Sequence, residues 1–430
     1  MIIIQRLASG AVNEVLAGRN LDQVLRKIWS QQGASLTPGE RGAIQDISFG
    51  SLRWYGELKA ILAQLLARPL TDAKIAALLV VALFQLLHTK TASHAVVDHA
   101  VQTVAALGKP RFKGLVNAVL RNFLRHSETL IAAIQQYPDA RYSYPNWWIV
   151  KIQSQYPAQW DEILTAGNQH PPMTLRVNRR KTDVESYLRR LADLGMGARS
   201  LDHAAIILTD PVSIDRLPGF VDGLVSVQDH AAQYAAPLLD LAPGLRVLDS
   251  CAAPGGKTGH ILEIADVDLT AIDKDPERMK QVAANLGRLG LAAAMKTADA
   301  GKLHEWWDGR PFDRILFDAP CTASGVIKRH PDIKWLRRNA DVARFAQQQA
   351  QMLAVIWRTL TPGGKLLYAT CSIFAEENQR QIADFCRNHP DAMLQPIPEG
   401  TDHGLHLLPS ATADGFFYGL LQKDSNAAMH

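Results

Sequence analysis

The stretch Arg246-Val-Leu-Asp-Ser-Cys-Ala-Ala-Pro-Gly-Gly-Lys257 decides how the second half of this chain folds. Val247 and Leu248 form a short apolar run of the kind found in a strand that is buried on both faces. A glycine-rich loop follows, and the residues from Thr258 to Glu263 can begin a helix. A strand, a tight loop and a helix in this order bring backbone N–H groups close to a bound ligand. The stretch therefore predicts a cofactor-binding loop.

Two other interpretations of this loop stay open at this point. The sequence Gly255-Gly-Lys-Thr258 imitates a phosphate-binding P-loop, but that motif needs a glycine five residues before Gly256, where this chain has Cys251. An ordinary turn between a strand and a helix is the second alternative. The residues at the ends of the following strands decide among the three.

The length and composition indicate a globular protein of two or three domains. The chain has 430 residues, of which 47% are hydrophobic and 20% are charged. Its longest apolar stretch, residues 75–87, contains Gln85 and is too short to cross a bilayer, so it predicts a buried core helix. The N-terminus has no signal-peptide pattern. We expect a cytoplasmic monomer that does not bind membranes.

The four cysteines are far apart in the sequence, at positions 251, 321, 371 and 386. None of them forms a Cys-x-x-Cys pair, so the sequence predicts neither a disulfide framework nor a zinc site, and no metal is expected. In a reducing compartment all four are free thiols.

Positive charge is concentrated in the first third of the chain. Lys and Arg outnumber Asp and Glu by 15 to 9 over residues 1–140, whereas the counts are 10 to 10 over 141–230 and 21 to 23 over 231–430. This distribution is typical of a nucleic-acid-binding arm joined to a domain with another task, although a solvated surface gives the same modest excess.

Residues 1–140 predict an all-α domain of five to seven helices. Apolar residues recur at intervals of three and four, and Thr37-Pro-Gly-Glu40 has the residues of a helix start. Basic residues crowd one segment, and we predict that they contact RNA phosphates: Lys109, Arg111, Lys113, Arg121 and Arg125. A solvated helix face is the alternative. The sequence Gly114-Leu-Val-Asn-Ala-Val-Leu-Arg121 in this segment resembles the NusB-like RNA-binding domain.

Two further domains are predicted. Residues 141–229 indicate a connector rich in proline and aromatic residues, followed by a small α+β module with strands at 174–178 and 205–208 and a helix at 183–194. In residues 230–430, strands near 247–249, 269–273, 314–318 and 365–369 alternate with helices. That alternation predicts an open parallel sheet with helices on both faces, which binds ligands at the carboxyl ends of its strands.

Polar residues stand where those strands end. Asp273 closes the second strand, 24 residues after Asp249, and a carboxylate in this position can hold a ribose diol. Asp299 is a candidate for contact with an adenine. The third strand leads into Asp318-Ala-Pro-Cys321 and the fourth into Ala369-Thr-Cys-Ser372, so two cysteines are expected at one edge of the sheet. A single buried cysteine is usually inert packing, but this combination is specific.

Over residues 225–430 the combination resembles the Sun-type RNA 5-methylcytosine methyltransferases, and the match extends through Asp414-Gly-Phe-Phe-Tyr418. The resemblance implies a Rossmann-like α/β domain that uses S-adenosylmethionine, preceded here by the all-α NusB-like domain and the α+β module. With the NusB-like domain in front, it also implies a substrate in 16S ribosomal RNA, unassembled or partly assembled, with cytosine 967 as the expected target.

The resemblance also implies roles for individual residues. Cys371 is the nucleophile that adds to C6 of the cytosine, Cys321 is the base that assists release, and Asp318 binds the cytosine edge or protonates N3. One thiolate must add at C6 because C5 is otherwise a poor nucleophile. The second thiol assists after methyl transfer, when the C5 proton must leave and the first thiolate must be expelled. The implied cofactor contacts are Cys251, Ala252, Ala253, Pro254, Gly255, Gly256, Lys257, Asp273, Asp299 and Asp318, with Arg278 as a brace for Asp273. Lys328 and Arg329 are further candidates for contact with the RNA backbone, with a solvated loop as the alternative.

Three alternative functions stay open. The same chemistry on transfer RNA or on another ribosomal site is the nearest, and the NusB-like domain argues against it. Amino-group methyltransferases use Asp/Asn-Pro-Pro-aromatic where this chain has Asp-Ala-Pro-Cys, and the two cysteines disfavour them. An RNA-binding assembly factor with an inactive methyltransferase domain would have lost a loop glycine, Asp318 or Cys371, and none is lost.

Overall fold

The computed structural model describes residues 1–202 and 204–426, and the chain is mainly helical up to residue 167 and combines strands with helices after it. The helices are α1 (Ile2–Leu16), α2 (Leu21–Gln32), α3 (Pro38–Arg53), α4 (Tyr55–Leu65), α5 (Ala73–His88), α6 (Ser93–Ala106), α7 (Lys113–Ile134), α8 (Pro138–Arg141), α9 (Asn146–Gln155), α10 (Trp160–Gly167), α11 (Val184–Asp193), α12 (Ala235–Leu238), α13 (Gly256–Ile264), α14 (Pro276–Leu289), α15 (Leu303–Trp306), α16 (Ile333–Leu336), α17 (Asn339–Trp357) and α18 (Gln379–Asn388). The strands are β1 (Thr174–Val177), β2 (Ala198–Ser200), β3 (Ala205–Leu208), β4 (Val225–Val227), β5 (Arg246–Ser250), β6 (Asp268–Asp273), β7 (Ala294–Thr297), β8 (Phe312–Asp318), β9 (Leu360–Thr370), β10 (Ala392–Gln395), β11 (Leu405–Leu407) and β12 (Phe416–Lys423).

The N-terminal helices form because their sequences combine caps with apolar stripes. The Thr37 side chain accepts a hydrogen bond from Glu40 N at 3.2 Å, and the Glu40 carboxylate accepts one from Thr37 N at 2.9 Å, which confirms the predicted helix start. Helix α5 is buried along almost its whole length between Ile75 and Gln85, so the predicted core helix is confirmed as well. In the described part of the chain, no helix is both long and apolar enough to cross a membrane.

The compact helical unit consists of residues 1–169 together with residues 327–339, which the sequence analysis assigned to the third domain. Within this unit, the Asp332 carboxylate accepts a hydrogen bond from Leu21 N at 3.0 Å, at the start of α2. The buried Lys334 ammonium donates to Arg53 O at 2.7 Å, at the end of α3. Backbone groups at these two helix ends therefore find their partners 311 and 281 residues later in the chain.

The second compact unit contains the remaining described residues, and it begins with a four-stranded antiparallel sheet in the order β2-β3-β1-β4. Helix α11 packs on this sheet because its Tyr187 and Leu191 side chains share a buried cluster with Leu175 and Val177 of β1. The predicted strands β1 and β3 and the predicted helix α11 are confirmed. Strand β2 was not predicted, because it has only three residues and none of them is fully buried.

Among the described residues, the larger sheet has eight strands in the order β10-β12-β9-β8-β5-β6-β7, with β11 beside β12. The five strands from β9 to β7 are parallel, which confirms the predicted open parallel sheet. Its two faces are covered by different helices: Val247 packs in a cluster with residues of α13 and α14, and Leu248 in a cluster with residues of α17 and α18. The antiparallel strands β10, β11 and β12 were not predicted.

Arg176 ties the small sheet to helix α13 within the second unit. Its buried Nε and Nη2 donate to the two carboxylate oxygens of Glu263 at 3.0 and 2.7 Å, and Nη1 donates to Gly256 O at 2.7 Å. Because Gly256 is the first residue of α13, the guanidinium supports the helix that follows the glycine-rich loop.

Removing one partner of this ion pair should destabilise the second unit strongly. In Arg176→Met the buried Glu263 carboxylate loses the two hydrogen bonds of its ion-pair partner, so the free energy of unfolding in a denaturant titration should fall by about 3–5 kcal/mol. Arg189→Met is the matched control, since it breaks an exposed pair with Glu185 in the same unit and should cost less than about 0.5 kcal/mol. Equal losses in the two variants would contradict the role assigned to Arg176.

Candidate active site

The glycine-rich loop turns sharply between β5 and α13. Cys251 has a left-handed backbone with φ of 66°, and Gly255 has φ of 96°. A Cβ atom at Gly255 would lie 3.0 Å from the Val282 Cα, so this position needs a glycine both for its backbone angle and for its close contact with α14. The Ala253–Pro254 peptide bond between these two residues is cis.

Asp273, at the end of β6, holds this loop in place. Its carboxylate accepts hydrogen bonds from Ala253 N at 3.2 Å and from Asp275 N at 3.0 Å. Arg278 lies beside it, with Nη1 at 3.5 Å from the carboxylate and Nη2 donating to Ala253 O at 2.6 Å. The structure therefore brings Arg278 to Asp273 in the bracing arrangement that the sequence analysis expected.

A cavity of about 230 Å³ lies at the carboxyl ends of the parallel strands. Eight of the sequence-predicted site residues line it: Cys251, Ala253, Asp273, Arg278, Asp299, Asp318, Cys321 and Cys371. The other loop residues named from the sequence, which do not line it, are Ala252, Pro254, Gly255, Gly256 and Lys257. Sequence reasoning missed Lys274, Gln348 and Met352, which also line the cavity. Gln348 and Met352 lie on α17, where helical spacing alone does not distinguish a residue facing a cavity from one in the core.

Lys257 and Asp318 form an ion pair beside this cavity. The Lys257 Nζ lies 2.7 Å from an Asp318 carboxylate oxygen and 5.2 Å from the centre of the Phe416 ring. Burial by itself would lower the pKa of the Lys257 ammonium, but Asp318, followed by Cys371 and Asp249, together raise it above its ordinary value. Lys257 therefore stays a cation and places positive charge close to Cys371.

The two predicted cysteines come together. The Sγ atoms of Cys321 and Cys371 are 3.4 Å apart, which confirms that the two motifs converge on one edge of the sheet. The hydrogen bond with Cys371, burial, and the charges of Cys371 and Glu377 raise the pKa of the Cys321 thiol well above its ordinary range. Glu377 itself was missed by sequence reasoning. The sequence gives it no more weight than its neighbour Glu376, because only the fold shows which of the two is buried.

The basic residues predicted to contact RNA lie in the helical unit, and their settings differ. Arg111, Lys113, Arg121 and Arg125 are exposed on or just before α7, whereas Lys109 forms an ion pair with Asp72 at 2.8 Å. The predicted contact of Lys328 with the RNA backbone is wrong, because Lys328 is only 1% exposed and is not presented to a ligand on the surface. Arg329 is partly buried.

No group of three or more His, Cys, Asp or Glu side chains in the described residues could hold a metal ion.

Asp249, at the end of β5, is a fully buried carboxyl group beneath the site. One of its oxygens accepts a hydrogen bond from Thr258 Oγ1 at 2.6 Å, and its other oxygen has no protein partner. Burial raises the pKa of Asp249 to about 7; the hydrogen bond from Thr258 opposes this, and the negative charge of Asp318 adds to it.

The raised pKa makes stability depend on pH. Because the folded protein binds the Asp249 proton more tightly than the unfolded chain, this contribution to stability is complete below about pH 4 and is lost as the pH rises through about 7. Between pH 5 and pH 8 the unfolding free energy of the wild type should fall by about 2–3 kcal/mol relative to Asp249→Asn, measured by denaturant titration. The control Asp266→Asn, which changes an exposed carboxylate before β6, should follow the wild type. Parallel pH curves for the wild type and Asp249→Asn would refute the assignment.

Three family models match successive parts of the chain. Residues 3–125 match the NusB family, residues 144–215 match the ferredoxin-like domain of RsmF/B-like methyltransferases, and residues 236–422 match the 16S rRNA methyltransferase RsmB/F model. These matches agree with the predicted order of the domains: an all-α domain, an α+β module and a Rossmann-like methyltransferase domain.

Individual relatives match the chain over greater lengths. The ribosomal RNA small subunit methyltransferase B of Serratia proteamaculans is 43% identical over 429 residues, which cover 98% of each chain. The crystal structure of PH0851 covers 98% of this chain and 99% of its own at a TM-score of 0.81 and 24% identity, and this likeness shows the fold. A methyltransferase homolog protein from Pyrococcus horikoshii, 28% identical with a TM-score of 0.59, covers 66% of this chain and 97% of its own. The near-complete match at 43% identity shows that the chain belongs to the family of ribosomal RNA small subunit methyltransferase B.

Proposed function

We propose that this protein transfers a methyl group from S-adenosylmethionine to C5 of a cytosine in 16S ribosomal RNA, at the position of cytosine 967, through a covalent bond between Cys371 and C6. The observation that carries the proposal is the pair of thiols 3.4 Å apart at the edge of the cavity, beside the Lys257–Asp318 ion pair. Family membership supports ribosomal RNA as the substrate.

The residues around the cavity fit the proposed cofactor. Asp273 closes β6 at the position where a carboxylate can accept hydrogen bonds from a ribose diol. Asp299 lines the same cavity and is assigned to the adenine, and Cys251 and Ala253 of the glycine-rich loop line it as well. When bound, S-adenosylmethionine supplies an electrophilic methyl group on a sulfonium.

Cys371 is assigned the attack on C6. Addition of its sulfur to C6 makes C5 enamine-like, and the electron pair of C5 can then take the methyl group. Asp318 is held by Lys257 at 2.7 Å, so its carboxyl group is oriented to bind the cytosine edge near N3 as the adduct forms.

The charges around Cys321 explain how this thiol can serve as a base only after the attack. In the resting pair, the hydrogen bond and the charge of Cys371 both raise the pKa of Cys321. Once Cys371 is bound to C6 it is a neutral thioether, so both effects disappear and Cys321, which lines the cavity, releases its proton to solvent more readily. The Cys321 thiolate then accepts the C5 proton, the C5–C6 double bond re-forms, and Cys371 leaves as a thiolate.

The RNA must present an accessible cytosine, since a stacked base hides C6. We assign the contacts with RNA phosphates outside the catalytic site to the exposed basic residues of the helical unit, namely Arg111, Lys113, Arg121 and Arg125. Lys109 is retained as a weaker candidate, because its ion pair with Asp72 must open before it can bind a phosphate.

Asp273 provides the test of the cofactor. Asp273→Ala removes a charged hydrogen-bond acceptor from the ribose, so calorimetry should show S-adenosylmethionine binding weakened by about 1.5–3 kcal/mol, or roughly 10- to 150-fold. Asp268→Ala, which removes an exposed carboxylate from the other end of the same strand, is the control and should bind like the wild type. Unchanged binding by Asp273→Ala would contradict the assignment of Asp273 to the ribose.

The two thiols provide the test of the chemistry. Cys371→Ala should abolish both methylation and the covalent protein–RNA complex. Cys321→Ala should still form the adduct but release it slowly, so a complex that survives denaturing electrophoresis should accumulate. The control is Cys386→Ala, which removes a half-buried thiol on α18 and should behave like the wild type. A trapped complex with Cys371→Ala would reverse the two roles, and methylation without any adduct would exclude covalent catalysis.

A further inference from the structure

A buried cluster of polar side chains lies directly behind the two thiols and is not used in the steps described above. It consists of the Glu377 carboxylate, the hydroxyls of Thr322, Ser324 and Ser372, and the amide of Gln349, and every one of these residues is at most 2% exposed. Hydrogen bonds connect all five. We call it the Glu377 cluster.

Glu377 is the centre of this cluster because four hydrogen bonds end on its carboxylate. One oxygen accepts from Thr322 N at 2.8 Å and from Gln349 Nε2 at 3.1 Å. The other oxygen accepts from the hydroxyls of Thr322 and Ser372, both at 2.5 Å. A backbone N–H and an amide NH₂ can only donate, so the oxygen that binds Thr322 N and Gln349 Nε2 must be an acceptor. A charged acceptor makes such bonds roughly twice as strong as a neutral one does.

Two of the three residues bonded to the Glu377 carboxylate directly follow the two thiols in sequence. Thr322 follows Cys321 and Ser372 follows Cys371, so a single carboxylate is bonded to both loops. Ser324 adds a second link, because its Oγ lies 3.0 Å from Ser372 Oγ and accepts a hydrogen bond from Ile373 N at 2.9 Å. Since Ser372 gives its proton to Glu377, Ser324 is the donor in the bond between the two serines.

We propose that Glu377 is a positioning residue that fixes the separation of Cys321 and Cys371 by holding the loop behind each thiol. The importance of this separation for turnover rests on the proposed function, in which both thiols act on one cytosine. A reaction can slow by about 100-fold when a reacting group is misplaced by about 1 Å. A loop that is anchored only by its own backbone can shift by such a distance.

The charge of Glu377 gives the proposal a second consequence. Its carboxylate raises the pKa of Cys321, in addition to the larger effects of the hydrogen bond with Cys371 and of burial. The Lys257–Asp318 ion pair also lies close to Cys371. Glu377 therefore favours the protonated form of Cys321.

Glu377→Gln tests the proposal, because it keeps the size of the side chain and removes the charge and one of the two acceptor atoms. We expect kcat for methylation to fall by about 100-fold, with the KM for RNA and the affinity for S-adenosylmethionine unchanged, since Glu377 lines no part of the cavity. The control is Glu376→Gln, which changes the neighbouring carboxylate beside Arg380 and should keep wild-type kinetics.

A second measurement reports the thiol separation without RNA or cofactor. The oxidant diamide converts two nearby thiols into a disulfide and is itself reduced to a hydrazine, and the rate at which Cys321 and Cys371 are joined is followed by peptide mapping. This rate depends on their separation and on their ionisation. Removal of the Glu377 charge favours ionisation of Cys321 and would by itself raise the rate, so a fall reports a change in separation. The rate should fall by about 10-fold or more in Glu377→Gln and stay at the wild-type value in Glu376→Gln. If Glu377→Gln does not fold, Thr322→Val and Ser372→Ala each remove one bond to the carboxylate and should show smaller reductions in the same rate.

The outcomes separate this inference from the proposed function. Wild-type disulfide formation in Glu377→Gln, or in both Thr322→Val and Ser372→Ala, would overturn the positioning role even if the protein methylates 16S RNA. Slower disulfide formation in these variants supports the positioning role even if the wild type fails to methylate that RNA. A drop in kcat without any change in the disulfide rate would contradict positioning as the cause.

Discussion

Parallel pairing of β5, β8 and β9 is the constraint on which the rest of the catalytic unit depends. The register pairs Ser250 with Phe317 and Asp318 with Ala369, so the three strands end side by side. Neighbouring strands are about 4.8 Å apart, and a residue just beyond each end therefore meets those beyond its neighbours. The glycine-rich loop, the Asp-Ala-Pro-Cys loop and the Thr-Cys-Ser loop converge for this reason, although as many as 120 residues separate Cys251 from Cys371.

The parts of the fold that follow from local sequence were predictable. Apolar runs bounded by turns located β5, β6, β8 and β9, and the parallel-sheet rule then placed Asp273, Asp318 and the two thiols at one edge. The groups that support the site could not be predicted in this way. Glu377 and Asp249 acquire their properties from burial, and burial is set by contacts between distant segments. The burial of Lys328 shows the same limit, since its sequence context is that of an exposed basic loop.

Charge is distributed around the two thiols unevenly. Lys257 stands on the side of Cys371 and is held by Asp318, whereas Glu377 stands behind both loops and acts on Cys321. The two thiols, whose sulfur atoms are 3.4 Å apart, thus have different charged neighbours although the residue type is the same. The arrangement is also compact, because the carboxylate that acts on Cys321 is the one bonded to Thr322 and Ser372.

The short segment from Ile327 to Leu336 has a consequence for how the chain is made. Translation completes the N-terminal helices long before it reaches Asp332 and Lys334, and until then Leu21 N and Arg53 O lack the partners they have in the finished molecule. A nascent chain or an expressed fragment that stops near residue 170 thus contains every helix of the first unit except α16 and still cannot complete that unit. The partners of Leu21 N and Arg53 O therefore become available only after the glycine-rich loop and the Asp-Ala-Pro-Cys loop have been synthesised.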